Sequence, residues 1–231
     1  MPRKKVVLFI VEGITEQESL ELVLTTLIED NNEVVFEVVG GDITSRNDVD
    51  IANVKNKITE AIKDGGKRKF KPSDYLEIVH LIDMDGAFIT EKNIYLDKSL
   101  DRLSYREDGI YANNIDNVLR RNNKKQKLIN TLIKTDKVYG TVPYRIFYFS
   151  CNLEHVLHNI REVENEAKFD FSKKFQDEYI DDLDGFLKLI CQNTFSVKKD
   201  YASSWNFIKL DNNSIKRYTN FNLLLDGYSK K

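Results

Sequence analysis

The sequence predicts an α/β protein: a parallel sheet with helices on both faces, elaborated by a mostly helical C-terminal part. Three observations lead there. Continuous apolar runs near residues 4–11, 34–39 and 75–82 have the length and β-branched content of buried strands. Segments with apolar residues at helical spacing lie between them. The resulting order β-α-β-α-β requires right-handed crossovers and a parallel sheet.

Each element has its own signal. After the first strand, Thr15 with Glu18 three residues on has capping-box spacing, and Leu20, Leu24, Leu27 and Ile28 recur on one face, so residues 15–30 are expected to be helical. Asn31-Asn32 break that helix, and Gly40-Gly41 stop the second strand. Residues 51–64 are amphipathic through Ile51, Val54, Ile58, Ala61 and Ile62, and Gly65-Gly66 should end them by C-cap chemistry. Beyond Gly86 the pattern weakens until a helix expected over 117–135 and a fourth strand over 144–149. A further helix starts near Leu153, and residues 162–231 are charged, with Phe186, Leu187, Leu189 and Ile190 as one apolar face. The expected organisation is a core over 1–160, with an insertion at about 87–143, and a helical extension over 161–231 packed on it.

The chain has 231 residues, 35 basic and 37 acidic, with a net charge of −2, so any nucleic-acid surface must be local. Cys151 and Cys191 lack CxxC spacing and read as reduced thiols, which points to the cytoplasm. No window reaches the ~18 apolar residues of a membrane span, so no membrane partner is expected.

Functional groups in parallel α/β sheets collect beyond the carboxyl ends of the strands. The first strand delivers Glu12-Gly13 and then Glu16; the third delivers Asp83 and Asp85 with Gly86 behind them. Acids at the ends of buried strands are costly unless paired, and a divalent cation is the usual solution. In an extended segment, residues i and i+2 point the same way, so Asp83 and Asp85 are expected to share or bracket ions. Glu12 and Glu16 share a face if the turn enters the helix early. The expected cofactor is Mg²⁺ or Mn²⁺.

A hydrophobic strand followed by Glu12-Gly13-x-Thr15-Glu16, then a second followed by Asp83-x-Asp85-Gly86, resembles the Toprim fold (a Rossmann-like sheet) of topoisomerases, primases, recombination proteins and OLD-family nucleases. The stretch Ser150-Cys151-Asn152-Leu153-Glu154-His155-Val156-Leu157-His158 is similar to the Asn-Pro-x-Phe-Glu-x-Trp segment of RloB-like proteins, though Cys151-Asn152-Leu153 departs from its Asn-Pro-aromatic order. The resemblance implies a metal-dependent nuclease, hydrolysing DNA or RNA phosphodiesters by a one- or two-metal mechanism in antiviral defence. It makes Glu12, Glu16, Asp83 and Asp85 the catalytic metal ligands and Glu154 a further one. A homo-oligomer stays open, and any ATP-driven step needs a separate ATPase subunit, because the chain has no G-x-x-x-x-G-K-[S/T].

Two alternatives stand beside this reading. Ile82-Asp83-Met84-Asp85-Gly86 also resembles the opening motif of haloacid-dehalogenase-type phosphatases, which implies Asp83 as nucleophile. Ala87 stands where Thr or Val is expected, and Glu12 and Glu16 go unexplained. The other alternative is a non-catalytic Toprim-like binding module. Of the remaining residues, His80 is expected to be packed in the core, His155 and His158 to be one core and one surface histidine rather than a metal pair, and Trp205 to pack. Lys67-Arg68-Lys69 with Lys71, and the run from Arg120 to Lys127, are candidates for holding backbone phosphates. Lys209 is a candidate for stabilising transition-state charge.

Overall fold

The computed structural model describes residues 4–28, 32–65 and 70–228. The protein is α/β: a mostly parallel mixed sheet flanked by helices, compatible with a Rossmann-like arrangement. β1 (Lys5–Val11), α1 (Ile14–Ile28), β2 (Asn32–Val38), α2 (Val54–Asp64) and β3 (Tyr75–Asp83) follow one another as the apolar runs require. Strand β1 lies between β2 and β3 and pairs in parallel with both. After β3 come the short strands β4 (Ile94–Leu96), β5 (Ser104–Tyr105) and β6 (Ile110–Ala112), then α3 (Ile115–Ile133), β7 (Lys137–Val138) and β8 (Val142–Ser150). Strand β8 lies parallel to β3, and β7 pairs antiparallel at its outer edge.

Alternate side chains of the central strands enter two separate cores, as the period of two demands. Val6, Leu8, Ile10, Ile78 and Ile82 meet α2 and α3 on one face. Val7, Phe9, Val11, Val79 and Leu81 meet α1 on the other, together with α4 (Leu153–His158), α5 (Asn165–Tyr179) and α6 (Leu183–Gln192). The residues after 160 serve both faces. Helix α7 (Tyr201–Ile208) joins the α2 and α3 layer, where Trp205 stacks edge-on against Tyr148 at 5.0 Å. Strand β9 (Tyr218–Thr219) returns to the main sheet beside β8, and α8 (Asn222–Leu225) closes the α1 layer. The expected insertion is organised. Strands β4, β5 and β6 form a small second sheet whose Ile94 and Ile110 pack with Val118 of α3 and Ile215.

Several local expectations change. Helix α1 begins at Ile14, so Thr15 lies inside its first turn and its hydroxyl donates to Glu16 at 3.3 Å instead of capping. The second helix starts at Val54, because Asp50 and Asn53 close a turn on each other's backbone N–H first. Gly65 follows it with an extended φ of −77°, not a left-handed one, and Gly66 lies outside the described residues. Asn31 and the run Lys67-Arg68-Lys69 lie outside the described residues.

Candidate active site: a carboxylate cluster at the sheet's carboxyl ends

Strand β1 stops at Val11 and hands Glu12 to the turn before α1; β3 ends on Asp83 itself. Because these strands are neighbours, their ends meet. Glu12 Oε1 accepts the Asp83 backbone N–H at 3.3 Å, and Asp83 Oδ1 accepts the Leu153 N–H, the first of α4, at 3.0 Å. Asn152 starts that short helix by accepting the His155 N–H at 2.8 Å, which aims Leu153 N–H and Glu154 at the cluster. Desolvation pushes the carboxyl groups of both Glu12 and Asp83 well above the usual range, and the neighbouring acids push further: Asp42 and Asp85 act on Glu12, and Glu12, Glu16, Asp85 and Glu154 act on Asp83.

Asp85 does not point the way Asp83 does, contrary to the i, i+2 expectation. The chain leaves β3 at Met84, whose N–H binds the Phe149 carbonyl at 2.9 Å, and Asp85 takes a left-handed φ of +48° to bind the Cys151 carbonyl at 2.8 Å. This turn swings the Asp85 carboxylate to α3, where Lys125 Nζ donates to Asp85 Oδ2 at 2.6 Å and to Asp42 Oδ2 at 2.7 Å. The Lys125 side chain is completely buried. Burial alone would lower its pKa, but Asp42, Asp85 and Glu12 outweigh this and hold it well above its usual value. Asp42 follows β2 after Gly40-Gly41. Burial would raise its pKa, yet Lys125 and hydrogen bonds from Thr44 and Ser45 bring it down to about 2. Arg121, one turn earlier on α3, donates to the Asp85 carbonyl and to Tyr105 Oη, each at 2.7 Å.

The other edge of the cluster is formed by α1, α4 and α5. Glu16 lies over Gly13, where a Cβ would come 2.9 Å from its Oε2, so the glycine allows the close approach. Its pKa is raised by burial and by Glu154. Buried Glu154 pairs through Oε1 with Lys168 Nζ at 2.8 Å, while its buried Oε2 has no partner. A cavity of about 240 Å³ opens beside Asp83 and Asp85, with Arg102, Tyr105, Arg161 and Lys168 among its walls.

Thus the five acids expected from sequence lie around one region. As positioned, no three His, Cys, Asp or Glu side chains among the described residues stand close enough to hold one metal ion. The physical reason is visible: Lys125 draws Asp85 to one side and Lys168 draws Glu154 to the other. Sequence reasoning missed Asp42 and Lys168, and it read Arg121 and Lys125 as part of a phosphate-holding run, whereas both bind the acid cluster. Lys209 instead donates to Asn130 at 2.6 Å and takes no part in the cluster. His80 is buried against Tyr144 Oη at 2.8 Å, and desolvation lowers its pKa to about 4. His155 accepts the Cys151 N–H at 3.0 Å, while His158 packs on Phe171 and Phe175, so they form no metal pair. The basic run on α3 divides: Arg121 and Lys125 turn to the acids, and Arg120, Lys124 and Lys127 face a different cavity.

No protein-family model, curated protein or solved structure matches this chain. No helix among the described residues is long and apolar enough to cross a membrane.

Proposed function

We propose that this chain is a Toprim-type nuclease dependent on Mg²⁺ or Mn²⁺, acting on DNA or RNA in antiviral defence. The observation that carries the reading is a local excess of negative charge. Glu12, Glu16, Asp42, Asp83, Asp85 and Glu154 converge on a region whose inner cations are Lys125, Lys168 and Arg121, with Arg102 and Arg161 on the adjoining cavity wall. A surplus of desolvated carboxylates must be protonated or neutralised. The donor set suits a hard divalent cation: all oxygen, with Glu154 Oε2 buried and unpartnered. Glu12, Glu16, Asp83 and Glu154 would hold it, and Asp85 would join by leaving Lys125.

When bound, such an ion lowers the pKa of a water and offsets charge at the phosphorus. The chain's own residues supply the rest. Arg102, Arg161 and Lys168 line the cavity beside the acids and suit phosphate oxygens. Lys125 keeps Asp42 ionised and in place. The Leu153 N–H fixes one oxygen of Asp83. A dehalogenase-type phosphatase would leave Glu12, Glu16 and Glu154 without a task.

The test is cleavage of plasmid DNA and of RNA with Mn²⁺ by the wild type and by Asp83→Ala. The variant should lose about a hundredfold or more. Equal activity would end this proposal. A beryllofluoride adduct on Asp83 would transfer it to the phosphatase class, and Mn²⁺ binding without turnover would leave a binding module.

A further inference from the structure

An open cavity of about 1000 Å³ lies along α3, away from the acid cluster, and is lined by α3, residues 47–52 and residues 89–94. Small-molecule sites span about 300–1,000 Å³. Val49, Ile89, Ile94 and Leu128 give it a buried apolar floor. Its α3 wall carries Arg120, Lys124 and Lys127, spaced i, i+4 and i+7 along one helical face. Among the described residues, none of these three forms an ion pair. Arg120 reaches the Asn117 side chain and Lys124 the Arg46 carbonyl, both neutral.

The rest of the wall is polar. Asn47 and Asn123 present amides, which donate and accept, while Gln126 already donates to the Ala87 carbonyl at 2.6 Å. Two acids also border the cavity, and one of them, Asp50, already accepts the Asn53 N–H at 2.9 Å. A row of three cations without ion-pair partners among the described residues, outnumbering the bordering Asp50 and Glu91, above an apolar floor and beside free amides, fits a molecule with phosphate at one end and a flat ring at the other. A simple inorganic anion would leave the floor empty, and a fatty acid would leave the amides unpaired. We infer that this cavity binds a free nucleotide. The site goes beyond the nuclease reading and does not depend on it. It is joined to the acids through α3: Asn122 lines the cavity and donates to the Gly86 carbonyl at 3.3 Å, between Arg121 and Lys125.

Calorimetric titration of the full chain in EDTA tests this with three probes: ATP, inorganic tripolyphosphate and a ten-residue oligothymidylate. ATP should bind saturably at one site and more tightly than tripolyphosphate. Arg120→Ala combined with Lys127→Ala should weaken it about tenfold or more, which is at least 1.4 kcal/mol. Both side chains are exposed, so the double variant should keep the wild-type melting curve. Absence of saturable ATP binding, unchanged affinity in the double variant, or tripolyphosphate binding as tightly as ATP would each overturn the inference. Displacement of ATP by a tighter-binding oligothymidylate would overturn it in favour of a nucleic-acid track. Because EDTA removes divalent ions and no cleavage is read, failure here leaves the nuclease proposal untouched.

Discussion

The two edges of the carboxylate cluster solve the same electrostatic problem differently. On the α3 edge, Asp42 and Asp85 share the completely buried ammonium of Lys125, and the group is complete without any ligand. On the α4 and α5 edge, Glu12, Glu16, Asp83 and Glu154 share one side-chain ion pair among the described residues, Glu154 with Lys168, and one Glu154 oxygen is left orphaned. The first edge behaves as a structural ion triad; the second is an anionic site with room for a cation. Sheet topology explains how both arise at one place. Parallel strands β2, β1 and β3 deliver acids from the same end, and only one of the bordering helices brings a lysine deep enough to neutralise its pair.

The largest expected effect follows from the first edge. Lys125→Met leaves two desolvated carboxylates facing each other, and removing one partner of a buried pair typically costs about 3–5 kcal/mol. Urea denaturation at pH 7 should show a loss on that scale. Adding Asp42→Asn and Asp85→Asn to the variant should recover most of it. A loss below about 1 kcal/mol in the single variant would mean that the triad is not what fixes this edge.

The second edge should respond with the opposite sign. Asp83→Asn keeps an oxygen for the Leu153 N–H and removes a charge that its neighbours repel, so without metal it should stabilise the protein at pH 7–8, on the order of 1 kcal/mol. The pH dependence carries the same signature. The folded-state pKa values of Glu12 and Asp83 lie above the unfolded ones, so their protonated forms favour folding at low pH, and that stability is lost as pH rises above about 4 through the raised values. Asp42 runs the other way: its contribution is present above about 4 and is lost as pH falls towards about 2. Buried His80 and His155, with pKa values lowered to about 4, add stability as pH rises over the same window, so the signature is a difference: from mildly acidic to neutral pH in EDTA the wild type should lose stability relative to Asp83→Asn. Parallel profiles for the two proteins would remove the charge surplus on which the nuclease reading rests.

Much of this arrangement is legible in the sequence, and the failures are instructive. The strands announce themselves because runs such as residues 6–11 are buried on both faces and need no alternation. Glu12 and Asp83 are readable because each directly follows or ends such a run. Asp42 has nearly the same signature, at the end of the 34–39 run, but two glycines displace it and turn it aside with φ values of +65° and +112°. Lys125 is harder to see: its spacing from Val118, Ile129 and Leu132 puts it on the inward face of α3, but nothing in Asn-Asn-Lys-Lys-Gln-Lys says that a charged side chain there meets acids. The orientation of Asp85 is set by distant backbone, through the Cys151 carbonyl at its own N–H and the Ser214 carbonyl at the N–H of Gly86. Strands of two or three residues, such as β5, β6 and β9, are too short to display a period, so the small sheet and the returning strand could not be foreseen.

The smallest effect sharpens the contrast between the two lysines. Lys125 is sealed, whereas Lys168 keeps about a third of its side chain in water and meets Glu154 at the cavity wall. Water reaches Lys168 though not Glu154, so Lys168→Met should cost less than Lys125→Met, on the order of 1 kcal/mol. It also releases a Glu154 oxygen, leaving the whole carboxylate free to accept a cation. If Lys168 occupies the position that a divalent ion would claim, Mn²⁺ should raise the melting temperature of Lys168→Met at least as far as that of the wild type. If it instead holds Glu154 in the geometry the ion requires, the variant should lose most of its response to Mn²⁺. Thermal melts with and without Mn²⁺ separate these outcomes, and the second would show that the α4 and α5 edge, like the α3 edge, depends on its own lysine for its shape.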